Sequence, residues 1–147
     1  MSAVAVTRMP EMSDTLPNTK EAFYFPQGMV GFGDAHEFGL IYEGVGNIAC
    51  LQSIDQPEAS FLLTPWNQSR LGAQPKLNRE QAQCIEVQDE QDVMWLIVLN
   101  PFADKKWVTA NLKAPIAINT EKRIGLQCIR PEPELELRFQ WMAQPGS

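Results

Sequence analysis

Few side chains in this 147-residue chain have the chemistry to make or break covalent bonds. His36 is its only histidine, and Cys50, Cys84 and Cys128 are its only thiols. A cysteine nucleophile needs a base beside it and an acid that orients the base. His36 would have to serve Cys50 or Cys128 as that base, and no spacing in the sequence joins them. Buried cysteines and a surface histidine are the simpler reading. The thiols are odd in number, widely separated and without a C-x-x-C pair, so they encode neither a disulfide framework nor a zinc site. The run GMVGFG, residues 28–33, holds three glycines. Its spacing reverses G-x-G-x-x-G and no helical pattern follows, so the glycines read as positive-φ positions of a tight turn after Phe25 and Pro26. Glu134 and Glu136 alternate with apolar residues, and solvation of a strand face explains them. The chain is expected to be no enzyme and to hold no cofactor or metal.

Charge points instead to binding. Twelve Lys and Arg against 18 Asp and Glu give a formal charge of -6. That balance repels a polyphosphate backbone, so direct nucleic-acid binding is disfavoured. From Glu80 to Asp104 the sequence carries six acidic residues and no Lys or Arg. A basic partner would feel that surface. Glu86, Asp89, Glu90 and Asp92 are therefore the expected partner-binding residues, with Asp55 and Glu58 as second choice. Hydrophobic residues make up 44% and charged residues 20%, a globular composition with no run long enough to span a bilayer. The N-terminal MSAVAVTRMPEMSD lacks the regions of a signal peptide. A cytoplasmic protein without membrane contact is expected.

The elements that must hold these residues are short. Residues 1–20 show neither helical nor strand periodicity and read as a mobile tail, 21–143 as one domain and 144–147 as a C-terminal tail. Apolar runs with turn residues between them (AFYF, FGLIYEG, IACLQS, SFLLT, VMWLIVL, KWVTAN, PIAIN, IGLQCI, ELELRFQWM) predict an all-β domain, an antiparallel sandwich or small barrel. VMWLIVL has no polar alternate and reads as a strand covered on both faces. In ELELRFQWM, by contrast, Leu135, Leu137, Phe139 and Trp141 alternate with polar residues, which predicts a regular terminal strand. One short helix is expected in LNREQAQCIEV, capped by Asn78 with Gln81 three residues on.

The stretch 109–129 reads as consecutive strands, with TEKR joining the last two. Pro115 donates no ladder hydrogen bond and keeps Ala114 extended, so NLKAP is a kink, and Asn111 is placed to bond local backbone across it.

Three blocks, FYFPQGMVGF, LQSIDQPEASFLLTP and NLKAPIAINTEKRIGLQCI, together resemble the flagellar assembly factor FliW family over roughly residues 22–130. The resemblance implies a small β-barrel-like domain without catalytic activity. It further implies a protein that binds flagellin and, once flagellin is exported, binds the RNA-binding regulator CsrA and relieves its repression of flagellin translation. Within the blocks Phe25, Pro26, Gly28, Gly31, Phe32 and Pro115 read as a turn, a kink and their core anchors, and Gln52, Asn111 and Asn119 as buried or turn-capping polar groups. Residues 1–20 do not carry the family's opening strand. WNQSRLGAQPK replaces an aromatic segment ending in Tyr, and ELELRFQWM is an unusually regular terminal strand that could take the first strand's place. The alternative reading is a small barrel that binds a ligand or carbohydrate in a mouth lined by tryptophans.

Overall fold

The computed structural model describes residues 20–42, 47–101 and 104–144. Its strands are β1 (Lys20–Tyr24), β2 (Glu37–Tyr42), β3 (Ala49–Ser53), β4 (Ser60–Pro65), β5 (Val93–Asn100), β6 (Trp107–Asn119), β7 (Ile124–Gln127) and β8 (Phe139–Ala143). Two short helices, α1 (Gln68–Leu71) and α2 (Arg79–Cys84), lie between β4 and β5. The sheet order is β5-β4-β3-β2-β1-β7-β6-β8, and β5 also pairs with β6. That extra pairing closes seven strands into a barrel and leaves β8 attached outside the ring, along β6.

Alternation decides what fills the barrel. Leu96 on β5 faces inward with Phe23, Phe38, Leu40, Leu51, Leu63, Ile116 and Ile118, joined by Phe25 and Met29 from the β1–β2 turn. The other face of β5 packs outward, Val93 and Trp95 in one cluster and Ile97 and Leu99 in another. Both outer clusters are covered by the segment between β4 and β5: Leu77, Cys84 and Ile85 over the first, Leu71 over the second, and Trp66 over both. VMWLIVL is thus buried on both faces, as its composition predicts.

Three of the four tryptophans do not line a mouth. Trp95 is buried in an outer cluster, with Trp66 and Trp141 packed outside the barrel, while aromatic and aliphatic side chains fill the interior. Within that filling, Phe25 meets Phe38 edge-on at 5.2 Å, and Phe32 meets Phe61 at 5.8 Å. Among the described residues these three tryptophans do not form the mouth that the ligand-binding alternative requires.

KWVTAN and PIAIN are not consecutive strands but the two halves of β6. Leu96 pairs with Ile116 and Val98 with Asn111, so one residue of β5 spans four of β6, residues 112–115. The odd difference reverses which residues face inward on the two sides of the bulge. Pro115 is tolerated there because the β5–β6 ladder is interrupted. Local bonds replace the ladder: Leu112 N–H to Glu136 O, Arg130 N–H to Lys113 O and Cys128 N–H to Pro115 O at 2.7–2.8 Å. Asn111 Oδ1 accepts from Lys113 N–H at 2.9 Å.

Two further expectations need correction. The terminal strand begins at Phe139, not near Glu134, because Glu132 and Glu136 turn the chain into the β6 bulge; Leu137 is 60% exposed. β8 lies along β6. A second helix, α1, forms in WNQSRLG, where Asn67 Oδ1 accepts from Arg70 N–H. Elsewhere α2 carries the expected capping box between Asn78 and Gln81. Lys20 already belongs to β1, and Gln144 N–H bonds Lys106 O at 2.9 Å. The rest of the two expected tails lies outside the described residues.

Candidate functional site

His36 is half-buried rather than on the surface, with Nδ1 2.8 Å from the Phe25 carbonyl and its ring stacked on Tyr24. The bond makes Nδ1 the donor and ties the imidazole to the β1–β2 turn. Cys128 is buried and Cys84 packs against the same cluster, whereas Cys50 is half-buried with Sγ 3.3 Å from Ser60 Oγ. Burial pushes the Cys128 thiol up to about 11, and the neighbouring Cys84 adds to the rise. A thiol so hard to ionise is a poor nucleophile at neutral pH. No group of three or more His, Cys, Asp or Glu side chains among the described residues could hold a metal ion.

The acidic residues leave the barrel where β5 begins. α2 ends at Cys84 with Ile85 as its C-cap, Glu86 adopts φ 60°, and the chain passes through a 3-10 turn, Glu90–Asp92, into β5. Asp89 caps that turn, its Oδ1 accepting from Gln91 N–H at 3.0 Å. Asp89, Glu90 and Asp92 are exposed. Glu86 is not without a basic neighbour: Lys122 Nζ lies 3.0 Å from its Oε1, both side chains 53% exposed. Such a pair contributes about 0–1 kcal/mol.

Buried Asn119 holds this corner together. Its Nδ2 donates to Ile85 O at 2.8 Å and Glu86 O at 3.3 Å, and its Oδ1 accepts from Glu121 and Lys122 N–H. One amide thus joins the acid turn to the β6–β7 turn. Between them is a shallow cleft of about 350 Å³ lined by Gln91, Asp92, Val93, Met94, Thr120 and Glu121.

Asp55 and Glu58 lie elsewhere. β3 and β5 run in the same direction, each antiparallel to β4, so the turn after β3 and the acid turn before β5 occupy opposite ends of the barrel. Asp55 Oδ1 accepts from Ser53 Oγ, and Gln52 Nε2 donates to Pro57 O at 3.0 Å and Ala59 O at 3.4 Å. The structure does not unite the two acidic sets.

In the β1–β2 turn Gly28 and Gly31 have φ of 66° and 86°. A Cβ on Gly28 would lie 2.5 Å from Phe32 O, while one on Gly31 meets nothing. Phe25 is fully buried, Pro26 and Phe32 half-buried. Sequence reasoning missed Gln127, whose Oε1 accepts from Val30 N–H at 2.8 Å and whose Nε2 donates to Ala114 O at 3.2 Å. This clamp between turn and bulge had no sequence signal beyond its place in IGLQCI.

A filled seven-stranded barrel with an acidic corner places the chain among small β-barrel proteins. The FliW protein family matches residues 8–141, and the chain belongs to that family. It is 34% identical over 120 residues to the flagellar assembly factor FliW of Borrelia turicatae (strain 91E135), an alignment spanning 80% of this chain and 91% of that one. With its counterpart from Clostridium botulinum (strain Langeland / NCTC 10281 / Type F) the identity is 33% over 113 residues, 75% of this chain and 78% of the relative. The crystal structure of a flagellar assembly factor FliW superposes with a TM-score of 0.73 at 26% identity, covering 89% of both chains. No helix among the described residues is long and apolar enough to cross a membrane.

Proposed function

We propose that this protein is a non-enzymatic flagellar assembly factor that works by partner exchange in the cytoplasm. It binds flagellin; when flagellin is exported, it binds a CsrA-type RNA-binding regulator and stops that regulator from repressing flagellin translation. The observation that carries this reading is the family match over residues 8–141, which reaches from before β1 into β8. Charge supports it, since a protein of formal charge -6 engages a basic RNA-binding partner while repelling the RNA itself. In this reading the exposed Asp89, Glu90 and Asp92 steer the regulator, with Glu86 beside them in its pair with Lys122. Asp55 and Glu58, at the other barrel end, are available to the second partner. Calorimetric titration with purified flagellin and with purified CsrA tests it: each is expected to bind with one-to-one protomer stoichiometry, and absence of binding to both overturns it.

A further inference from the structure

The cleft beside the acid turn has a lining more specific than a negative surface. It opens where the β5–β6 ladder ends: Val93 pairs with Asn119, and beyond that pair the two chains part. Gln91 and Asp92 form one wall, Thr120 and Glu121 the other. Val93 is buried and Met94 half-buried, whereas the other four lining residues are exposed. The floor is therefore apolar, and the rim carries two carboxylates, a hydroxyl and an amide. Both walls are held by bonds of their own. Asp89 Oδ1 accepts from Gln91 N–H at 3.0 Å, and Asn119 Oδ1 accepts from Glu121 N–H at 3.1 Å. Walls fixed before binding lose little conformational entropy when an occupant arrives.

An occupant that matches this lining is apolar along its length and cationic at its head. Arginine and lysine side chains have that form, because their stems lie on apolar surface while the charge stays at the water. Carboxylates on opposite walls favour arginine of the two. Its planar fork offers five N–H donors in fixed directions, whereas an ammonium is a compact point of charge. The volume of about 350 Å³ suits one such side chain, being at the small end of the roughly 300–1,000 Å³ of ligand pockets.

We propose, resting on the partner exchange described above, that this cleft receives an arginine side chain of the basic regulator, its stem over Val93 and Met94 and its guanidinium between Asp92 and Glu121. The exposed acids steer the regulator, and the cleft anchors it. Thr120 and Glu121, which lie outside the acid-rich segment of the sequence, thereby join the partner surface.

Nitrogen-15 NMR titration with the peptide acetyl-Gly-Arg-Gly-amide, and with counterparts carrying citrulline or lysine in place of arginine, tests the cleft without the regulator. The arginine peptide is expected to shift the amide signals of residues 91–94, 120 and 121 saturably, the lysine peptide to bind more weakly and the neutral citrulline peptide to leave them in place. Asp92→Asn with Glu121→Gln is expected to abolish the arginine shifts without disturbing the rest of the spectrum. In complex with the regulator the same double variant is expected to dissociate roughly tenfold faster, because an anchoring contact acts on dissociation and steering charge on association. Cleft signals that stay still, that move equally with citrulline or lysine, or that move equally in the double variant overturn the proposal, as does an unchanged dissociation rate. A regulator that fails to bind the unsubstituted protein overturns the partner exchange itself, and the anchoring contact with it, even where the arginine peptide shifts the cleft.

Discussion

The β1–β2 turn shows at the residue scale how backbone and side-chain constraints separate. Gly28 and Gly31 share positive φ, but only at Gly28 would a Cβ strike backbone, the Phe32 carbonyl at 2.5 Å. Left-handed backbone alone costs about 1–2 kcal/mol in a residue with a Cβ. Gly31→Ala is accordingly expected to lose about 1 kcal/mol of unfolding free energy, and Gly28→Ala about 1–3 kcal/mol more through overpacking. Urea denaturation of the two variants checks the order, and equal losses would mean that the turn yields freely at Gly28. These glycines were legible because the residue type states its own conformational need. Asn119 was legible only as a capping or buried polar group. That it reaches back to Ile85 and Glu86 depends on the β6–β7 turn meeting the end of α2, which no local pattern encodes. The Lys122–Glu86 pair was hidden for the same reason: a segment empty of basic residues in sequence gains one in space.

At the scale of elements, the strands were legible wherever packing follows a local period. β5 announced its two buried faces, and Asn78 announced α2. Bulges were not legible, since β6 is one strand or two depending on whether its partner admits residues 112–115 as an excursion. The regular alternation of residues 134–141 was overridden in the same way, because Leu112 N–H takes Glu136 O and draws that part of the chain out of the ladder. The outer layer made by α2 on β6 and β7 has a titratable reporter in Cys128. Burial raises its thiol from an ordinary value of 9.0 to about 11, so the folded state favours the neutral form. That contribution to stability is fully present below pH 9 and is lost as pH rises through 11. Denaturation midpoints are expected to fall between pH 9 and 11 more steeply for the native sequence than for Cys128→Ala, measured relative to each protein at pH 8. Parallel curves would show that the layer opens without exposing the thiol.

For the whole molecule the account rests on charge placed at one end of a filled barrel. Asp89→Asn, Glu90→Gln and Asp92→Asn together remove three exposed charges, while the new side-chain amide beside Gln91 keeps an acceptor for the 3-10 turn and Glu86 keeps its pair with Lys122. Association with CsrA is expected to slow roughly 3- to 10-fold at low salt and to lose much of its ionic-strength dependence, because steering by exposed charge acts on encounter. Stopped-flow kinetics over a salt series measures this, and an unchanged rate and slope would move the partner surface elsewhere. The central claim, partner exchange without RNA contact, is tested most directly by titrating the protein into a CsrA–RNA complex labelled on the RNA. The account predicts that RNA is released, that added flagellin reverses the release, and that the protein alone never shifts the RNA. RNA that stays bound to CsrA at saturating protein, or a direct shift by the protein itself, would contradict it.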